Sequence, residues 1–151
     1  MIRKALLSLD KTNRFFLERT WNESKKRVLY ILLNPSMADS KIDDPTTKKL
    51  ISFTKKWGYG GFSLCNLYSF RTSCPKVLYK SLEKSNKKNK EYLKIHIYKS
   101  HKIIYGWGAT EKEPKWLIKL VKTPYCFGKN QNHTPKHPLY LKNDTRLIEF
   151  R

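Results

Sequence analysis

Runs of apolar residues alternate along the chain with segments whose apolar positions recur at helical spacing. The run 28–33 (Val-Leu-Tyr-Ile-Leu-Leu) is apolar at every position, which is typical of a strand buried on both faces of a parallel sheet. Later segments predict three more strands, at 62–68, 102–108 and 125–127. The aromatic segment 14–21 predicts another strand, and 147–150 predicts a last strand at an edge.

The segments between the buried strands carry helix signals. Asp44 is placed to cap a helix whose first turn contains Pro45, and apolar positions then recur at Leu50, Phe53 and Trp57. Two further helices are predicted at 91–99, after a lysine- and asparagine-rich segment 83–90, and at 116–121. Strands that alternate with helices predict an α/β fold. We expect one domain over 1–151, with three α/β/α layers around a mainly parallel sheet of about four strands.

Polar residues follow each of the four buried strands. Ligands of such sheets bind beyond the carboxyl ends of the strands, so we expect these residues to share one rim. They are Asn34 after the first strand, 66–71 after the second, 106–108 after the third, and Lys129, Asn130, His133 and His137 after the fourth. The sequence therefore predicts a site built from amides, histidines, glycines and one arginine, Arg71.

The charge balance points to a polyanionic partner. The chain has 32 Lys and Arg residues against 12 Asp and Glu residues, which gives a net charge of +20 and a pI near 10.0. DNA would explain this excess, because the release of its counterions favours binding. Lysine outnumbers arginine by 25 to 7, which an AT-rich genome also produces without selection for binding. That codon bias does not explain why so few acids balance the lysines.

Composition also limits the class of protein. The chain is 39% hydrophobic, enough for a core, and no apolar run approaches the roughly 20 residues of a membrane span. The apolar part of 1–10 is too short for a signal peptide, so we expect a cytoplasmic protein. We also expect a monomer. Three widely spaced cysteines, Cys65, Cys74 and Cys126, do not suit disulfides, structural zinc or an iron–sulfur cluster. No metal and no cofactor is expected.

A series of short motifs resembles a known family. The motifs are Leu-Leu-Asn-Pro-Ser-Met-Ala-Asp at 32–39, Asp-Asp-Pro-Thr at 43–46, Trp-Gly-Tyr-Gly-Gly at 57–61, Asn-Leu at 66–67 and His-Pro-Leu-Tyr-Leu at 137–141. In order and spacing the series resembles the bacterial and phage family known as domain of unknown function 1643, over nearly the whole chain. That family brings no agreed activity.

Four segments also resemble motifs of the uracil-DNA glycosylase superfamily. Asn34-Pro35 is similar to its first motif, Gly-hydrophobic-Asn-Pro-Gly, with Ser36 in place of the last glycine. Residues 66–71 resemble the exit of its second strand, and 102–109 resemble its third strand. His137-Pro138 is similar to its closing His-Pro-Ser motif, with Leu139 in place of the serine. The resemblance implies that fold, and an enzyme that removes a base from DNA by hydrolysing the N-glycosidic bond.

The resemblance implies roles for particular residues. Asn34 would orient a water near the sugar, Asn66 would read the edge of the base, and His137 would donate a hydrogen bond to the departing base. Asp39, which follows the Asn34 turn, is our choice for the carboxylate that polarises the attacking water. Aromatic residues at strand exits or in glycine-rich loops, which suit stacking on an extruded base, are Tyr59, Phe70 and Trp107. Contacts with nucleic acid are predicted for Arg71, Lys129, Asn130, Lys136, Leu139 and Tyr140.

Each of these roles has a structural alternative. Asn34 is also a turn former before Pro35, Asn66 is also able to satisfy its own loop, and His137 is also able to bond to backbone. Asp44 is a candidate carboxylate that is better explained as a helix cap. Two other functions remain open as well: a non-catalytic nucleic-acid-binding protein on the same fold, and an enzyme that acts on free nucleotides or nucleosides.

Overall fold

The computed structural model describes residues 1–81 and 87–151, so part of the predicted lysine- and asparagine-rich segment 83–90 lies outside the described residues. Within the described residues the chain forms seven strands and four helices. The strands are β1 (Ile2–Leu7), β2 (Arg14–Thr20), β3 (Arg27–Leu32), β4 (Gly61–Asn66), β5 (Lys102–Tyr105), β6 (Tyr125–Cys126) and β7 (Ile148–Glu149). The helices are α1 (Pro45–Lys56), α2 (Pro75–Lys80), α3 (Lys87–Lys99) and α4 (Lys115–Leu120).

The strands form one mixed sheet in the order β1-β2-β4-β3-β5-β6-β7. The inner strands β4, β3, β5 and β6 pair in parallel, whereas β1, β2 and β7 are antiparallel to their neighbours at the two edges. The prediction of a mainly parallel sheet of about four strands is therefore corrected. The sheet is wider than predicted, because the strands predicted at 14–21 and 147–150 join it as β2 and β7. Strand β1 was not predicted, since its residues are exposed or half-buried and lack an apolar run.

The α/β class is confirmed, and helices cover both faces of the sheet. Alternate residues of β3 point to opposite faces. Leu29 and Ile31 join a core with Leu93 of α3 and Leu117 of α4. The other face of β3 joins a second core with α1 through Val28, Tyr30, Leu32, Leu50 and Phe53. This two-sided burial explains why the run 28–33 shows no polar alternation.

Helix α1 begins and ends as the sequence predicts. The Oδ1 atom of Asp44 accepts a hydrogen bond from Thr47 N at 2.8 Å, and Pro45 occupies the first turn. The helix ends before Trp57. The next residue, Gly58, has a φ of 84°, a conformation that suits glycine. The cap fixes the side chain of Asp44 beside the carboxyl end of β3. Helix α2, which begins at Pro75, was not predicted.

Gly106, directly after β5, lets three segments meet at the carboxyl ends of the strands. A Cβ atom at this position would lie 2.8 Å from Leu32 Cδ2 and 3.3 Å from both Phe127 Cε2 and Pro138 Cδ. The backbone N–H of the next glycine, Gly108, donates to Pro135 O at 2.9 Å. The glycines of this strand exit therefore seat the segment that carries His137.

Replacing Gly106 with alanine should lower the free energy of unfolding by about 1–3 kcal/mol, because the added methyl group overpacks the contact with Leu32. Chemical denaturation measures this cost. In a Leu32→Val background, which removes the clashing Cδ2 atom, the same substitution should cost less. An equal cost in both backgrounds would show that the contact with Leu32 does not require the glycine.

Candidate functional site

The parallel strands end at one edge of the sheet, where a cavity of about 580 Å³ opens. Backbone hydrogen bonds hold the strand exits side by side: Leu67 N donates to Leu32 O and Gly106 N donates to Ile31 O, both at 2.9 Å. The crossover from β3 leads to β4 on one side of β3, and the next crossover leads from β4 to β5 on its other side. Such sheets bind ligands at this switch point. Six of the predicted site residues line this cavity: Asn34, Asn66, Trp107, His137, Leu139 and Tyr140.

The side-chain amide of Asn34 joins the exits of β3 and β4. Its Nδ2 atom donates to Thr72 O at 2.7 Å, to Pro35 O at 3.1 Å and to Phe70 O at 3.4 Å. The amide nitrogen is therefore committed to the backbone, as the turn-forming alternative suggests. Within the described residues its Oδ1 atom has no hydrogen-bond partner, so this oxygen is left to accept a hydrogen bond from a water or ligand.

Asn66 ends β4 and is 1% exposed. Its Oδ1 atom accepts a long hydrogen bond of 3.5 Å from Arg14 Nη2, and its backbone O accepts from Asn89 Nδ2 at 2.8 Å. Because Oδ1 faces a guanidinium, the amide must present Nδ2 on its other side. That nitrogen has no partner in the part of the chain that the structure describes, so the cavity wall offers a donor here.

His137 lies at the mouth of the cavity, open to solvent on one side and enclosed by protein on the other. Its Nδ1 atom accepts a hydrogen bond from Leu139 N at 3.2 Å, so the neutral ring carries its proton on Nε2. The enclosing protein lowers the pKa of His137, against the opposing effect of the Asp44 carboxylate. The result is a neutral imidazole at pH 7 whose Nε2–H is available to a ligand.

The imidazole of His137 should titrate below the ordinary His pKa of 6.5. The lowered pKa means that the unfolded chain binds the proton before the folded chain as the pH falls. Protonation of His137 therefore destabilises the fold in the pH range just below 6.5. An NMR titration, with the ring signals assigned by their loss in His137→Gln, checks this. The Leu139 amide should shift with the same midpoint; a midpoint above the ordinary value would contradict the assignment.

Trp107 forms part of the cavity wall and is itself a core residue. It is 1% exposed, and its Nε1 donates to Glu111 O at 2.7 Å. Its ring packs against Tyr105 with centroids 4.5 Å apart and against Phe150 with centroids 6.3 Å apart. Trp107 is therefore a fixed apolar surface rather than a mobile stacking platform.

Leu139 and Tyr140 border the cavity on the segment that follows His137. Tyr140 is 94% exposed, whereas Leu139 is half-buried. The Tyr140 side chain is therefore accessible to a molecule that approaches the cavity.

Asp44, and not Asp39, is the carboxylate that lies in the cavity. The Oδ1 atom of Asp39 accepts hydrogen bonds from Lys41 N at 2.7 Å and Ile42 N at 2.8 Å, which lower the pKa of Asp39 and hold it in a turn. Asp44 caps α1 through Oδ1, and its Oδ2 accepts from Ala38 N at 3.3 Å. Asp39, the carboxylate predicted to polarise the attacking water, therefore does not line the cavity, whereas Asp44 does.

Two of the predicted stacking residues do not reach the cavity. Tyr59 lies between α1 and β4, at the amino ends of the parallel strands, where its backbone O accepts from Trp21 Nε1 at 3.0 Å. Phe70 forms an isolated bridge with Asn13 and does not line the cavity. Of the three aromatic residues proposed to stack on a base, the fold brings only Trp107 to the site.

Four predicted nucleic-acid contacts lie outside the cavity wall. Arg71 donates to three backbone carbonyls, of Lys11 and Ser36 at 3.1 Å and of Met37 at 3.2 Å, so its guanidinium clamps neighbouring loops. Asn130 donates to Thr134 Oγ1 at 3.0 Å within its own loop. The side chains of Lys129 and Lys136 are exposed on the loop that leads to His137.

Sequence reasoning missed Arg14, which lines the cavity from the start of β2. The segment 14–21 was interpreted only as an aromatic strand. The sequence did contain a signal: Arg14 directly precedes two phenylalanines in a strand expected to pack on a core. A charge buried there needs a partner. Hydroxyl side chains also line the cavity without having been predicted: Ser36, Thr46, Thr47, Thr72, Ser73 and Thr110.

Comparison with known proteins identifies one family. The family described as a protein of unknown function (DUF1643) matches residues 14–139. The chain belongs to this family. The DUF1643 region opens at Arg14 and closes at Leu139, so every residue that lines the cavity except Tyr140 lies within it. No curated protein and no solved structure matches the chain.

Within residues 1–81 and 87–151, this DUF1643 chain has no group of three or more His, Cys, Asp or Glu side chains arranged to hold a metal ion. The same residues include no helix of the length and apolarity that a membrane crossing requires. The three cysteines are free; Cys65 and Cys126 are buried, and burial raises the pKa of both thiols.

Proposed function

We propose that this protein is a DNA glycosylase-like hydrolase that cleaves the N-glycosidic bond between a base and the deoxyribose of DNA. The observation that carries this proposal is a single cavity, at the carboxyl ends of the parallel strands, lined by Asn34, Asn66 and His137. These residues belong to the motifs that resemble the uracil-DNA glycosylase superfamily, and we propose a fold of that kind. The cavity volume of about 580 Å³ accommodates a nucleobase.

An enzyme of this kind reaches its target bond only after the nucleotide has left the base stack. Tyr140 and Leu139 stand beside the cavity mouth, and we propose that they wedge into the space that the base vacates. Inside the cavity, the fixed surface of Trp107 supports the base and the Nδ2 donor of Asn66 meets an acceptor on its edge. The orientation of the Asn66 amide therefore favours a base with an oxygen or ring nitrogen at that point.

In the reaction, a water attacks C1′ while the bond from C1′ to the base nitrogen breaks. Asn34 orients this water through Oδ1, and the Asp44 carboxylate accepts its proton, because an amide cannot act as a general base. The base leaves with the electron pair of the broken bond. The Nε2–H of His137 stabilises the negative charge that develops on it, and solvent protonates the base afterwards.

Surface charge supports DNA as the partner. Four ion pairs join residues within the described ranges, and an arginine is the cation in each of them. Five exposed lysines lie within two sequence positions of a residue that lines the cavity: Lys48, Lys76, Lys112, Lys136 and Lys142. We propose that these lysines contact the phosphates of bound DNA. Because one chain supplies the whole cavity, we propose a monomer, acting on DNA in the cytoplasm.

The purified protein should convert a base in DNA to an abasic site. The substrates are single- and double-stranded oligonucleotides that carry uracil, hydroxymethylated bases or glucosylated bases, and alkaline strand cleavage detects the product. Asn34→Ala serves as the matched inactive variant. Absence of product from every substrate, with enzyme in excess and DNA bound, would overturn the hydrolase proposal.

Binding to a non-substrate DNA duplex should weaken by about tenfold or more when salt is raised from about 50 to about 200 mM, because bound cationic side chains displace counterions. Fluorescence anisotropy measures this dependence. Lys136→Glu should reduce the slope of log Kd against log salt. Lys119→Glu, at an exposed position of α4 away from the cavity, should not. A slope near zero would exclude phosphate contacts as the role of the lysines.

A non-catalytic DNA-binding protein is the second candidate. The observation that favours it is the Asn34 amide, whose nitrogen is fully used in joining two loops. That candidate predicts salt-dependent binding of the same strength in wild type and in the Asn34→Ala variant, and no abasic product from either. An enzyme of free nucleotides would instead be stabilised by a mononucleotide and bind DNA weakly.

A further inference from the structure

Two arginines of β2 are buried, and their partners differ. Arg19 is 0% exposed and its Nε donates to the carboxylate of Asp43 at 2.8 Å. Its remaining nitrogens donate to backbone carbonyls of Glu18, Asp39 and Ile42. The charge of Arg19 is therefore neutralised within the fold, and all of its nitrogens have acceptors, as buried guanidinium groups require.

Arg14, on the same strand, is 2% exposed and has no such arrangement. Its Nη1 donates to Ala38 O at 2.9 Å, and its Nη2 makes only the 3.5 Å contact with Asn66 Oδ1. Its Nε is buried without any hydrogen-bond partner in the described residues, and no carboxylate of those residues forms an ion pair with it. Burial lowers the pKa of Arg14 to about 10, which leaves it a cation at pH 7.

The charge of Arg14 faces the cavity described above, since Arg14 is one of its lining residues. The N-terminal turn of α1 lines the same space through Pro45, Thr46 and Thr47, and a helix N-terminus carries positive potential. Among the described residues Asp44 is the one carboxylate in the lining. Both of its oxygens accept backbone N–H groups. Its charge is thus partly balanced by the helix. The Asp44 carboxylate also favours the charged form of Arg14 through space, but it makes no hydrogen bond with the guanidinium in the described residues, so the Arg14 side chain keeps a donor without a close anionic partner.

We propose that the cavity is built to hold a negatively charged group, and that the guanidinium of Arg14 is the counter-charge for it. This inference rests on the proposed function, in which the negatively charged group is the ring of the departing base. That ring carries the electron pair of the broken bond, and no covalent step involves Arg14. Arg14 is a positioning residue: it orients the amide of Asn66 and balances the anion from within the wall, whereas His137 reaches it from the mouth.

A phosphate group offers the same charge, so the test compares ligand pairs that separate the two sources. Urate and barbiturate are ring anions at neutral pH, and hypoxanthine and uracil are their neutral counterparts. A deoxynucleoside and its 5′-monophosphate form the phosphate pair. Calorimetry with the wild-type protein should give about tenfold or more tighter binding of a ring anion than of its neutral counterpart. A preference confined to the monophosphate would support an anion site and assign it to phosphate. Equal affinities within every pair would overturn the proposal.

Variants then assign the effect to Arg14. Arg14→Gln should reduce the anion-to-neutral affinity ratio to about one, and Arg14→Lys should retain part of it, because lysine keeps the charge without the planar fork. Lys119→Gln, which removes one exposed charge on α4, should leave the ratio unchanged. A ratio that survives in folded Arg14→Gln would overturn the role of Arg14; if that variant does not fold, the wild-type pairs decide.

The binding test of the anion site and the test of base hydrolysis can fail independently of each other. Base release from DNA without any preference for ring anions would overturn only the inference about Arg14. A preference for ring anions without base release would leave the anion site standing and overturn the hydrolase.

Discussion

Replacing His137 with alanine should lower the rate of base release from DNA by about 100- to 1,000-fold, the usual effect of removing one donor that stabilises developing charge. In the proposed reaction the Nε2–H of His137 is the donor left for the departing base, because its Nδ1 accepts the backbone N–H of Leu139. Affinity for DNA should stay within about twofold, because a neutral imidazole contributes no phosphate contact. Single-turnover measurements of abasic-site formation, beside anisotropy measurements of binding, separate the two quantities.

Two further variants make the His137 test specific. His137→Gln keeps an N–H donor and should retain more activity than His137→Ala. The matched control is His133→Asn, in the same loop. His133 has a φ of 64°, a conformation that asparagine tolerates, so this variant should fold and keep wild-type activity. Equal losses in His137→Ala and His133→Asn would mean that the loop as a whole, and not the imidazole of His137, is required.

The inner part of the fold could be predicted from the sequence because its burial is two-sided. Residues 28–33 lie between two cores and are apolar on both faces, which is a local and readable pattern. The edges could not be predicted in the same way. Strand β1 begins with Ile2, Arg3 and Lys4, which are exposed; its position depends on pairing with β2 through backbone hydrogen bonds, to which side-chain pattern gives no guide.

The candidate site could be predicted as far as strand direction decides it. Asn34, Asn66 and His137 were found because they follow strands, and the carboxyl ends of parallel strands share one edge. The same rule places Tyr59 away from the cavity. Its glycine-rich loop leads from a helix into β4, and such loops lie at the amino ends of the strands. Arg71 does follow a strand, but its guanidinium bonds to three backbone carbonyls, an arrangement that depends on how two loops meet.

Two cavity residues required the tertiary structure. Arg14 enters the cavity because β2 lies beside β4, a neighbour relation between strands that are far apart in sequence. Asp44 was interpreted as a helix cap, and it is one. The cap position also places Asp44 in the lining of the cavity, so one side chain combines the structural role with the chemical role that we propose for it. The cap signal in the sequence therefore does not exclude a second role for Asp44.

Replacing Asp44 with asparagine should lower the rate of base release by about 100-fold or more, which is the usual contribution of a general base. Asparagine caps a helix about as well as aspartate, but its Nδ2 cannot accept the hydrogen bond from Ala38 N, so the free energy of unfolding should fall by only about 0.5–1 kcal/mol. The charge is lost while the hydrogen bond to Thr47 N is kept. Asp44→Ala should lose the same activity and also about 1 kcal/mol of stability, because it removes the cap.

Asp39→Asn is the matched control for Asp44→Asn. It also removes one negative charge from the segment before α1, and asparagine keeps an acceptor for the N–H groups of Lys41 and Ile42. Its activity should stay within about threefold of wild type, because Asp39 lies outside the cavity and exposed charges act weakly at a distance. If Asp39→Asn were inactive and Asp44→Asn active, the attacking water would have to lie on the other side of the turn that follows Asn34. Asp44 would then be a helix cap alone, and the cavity would need another group to take the proton from the water.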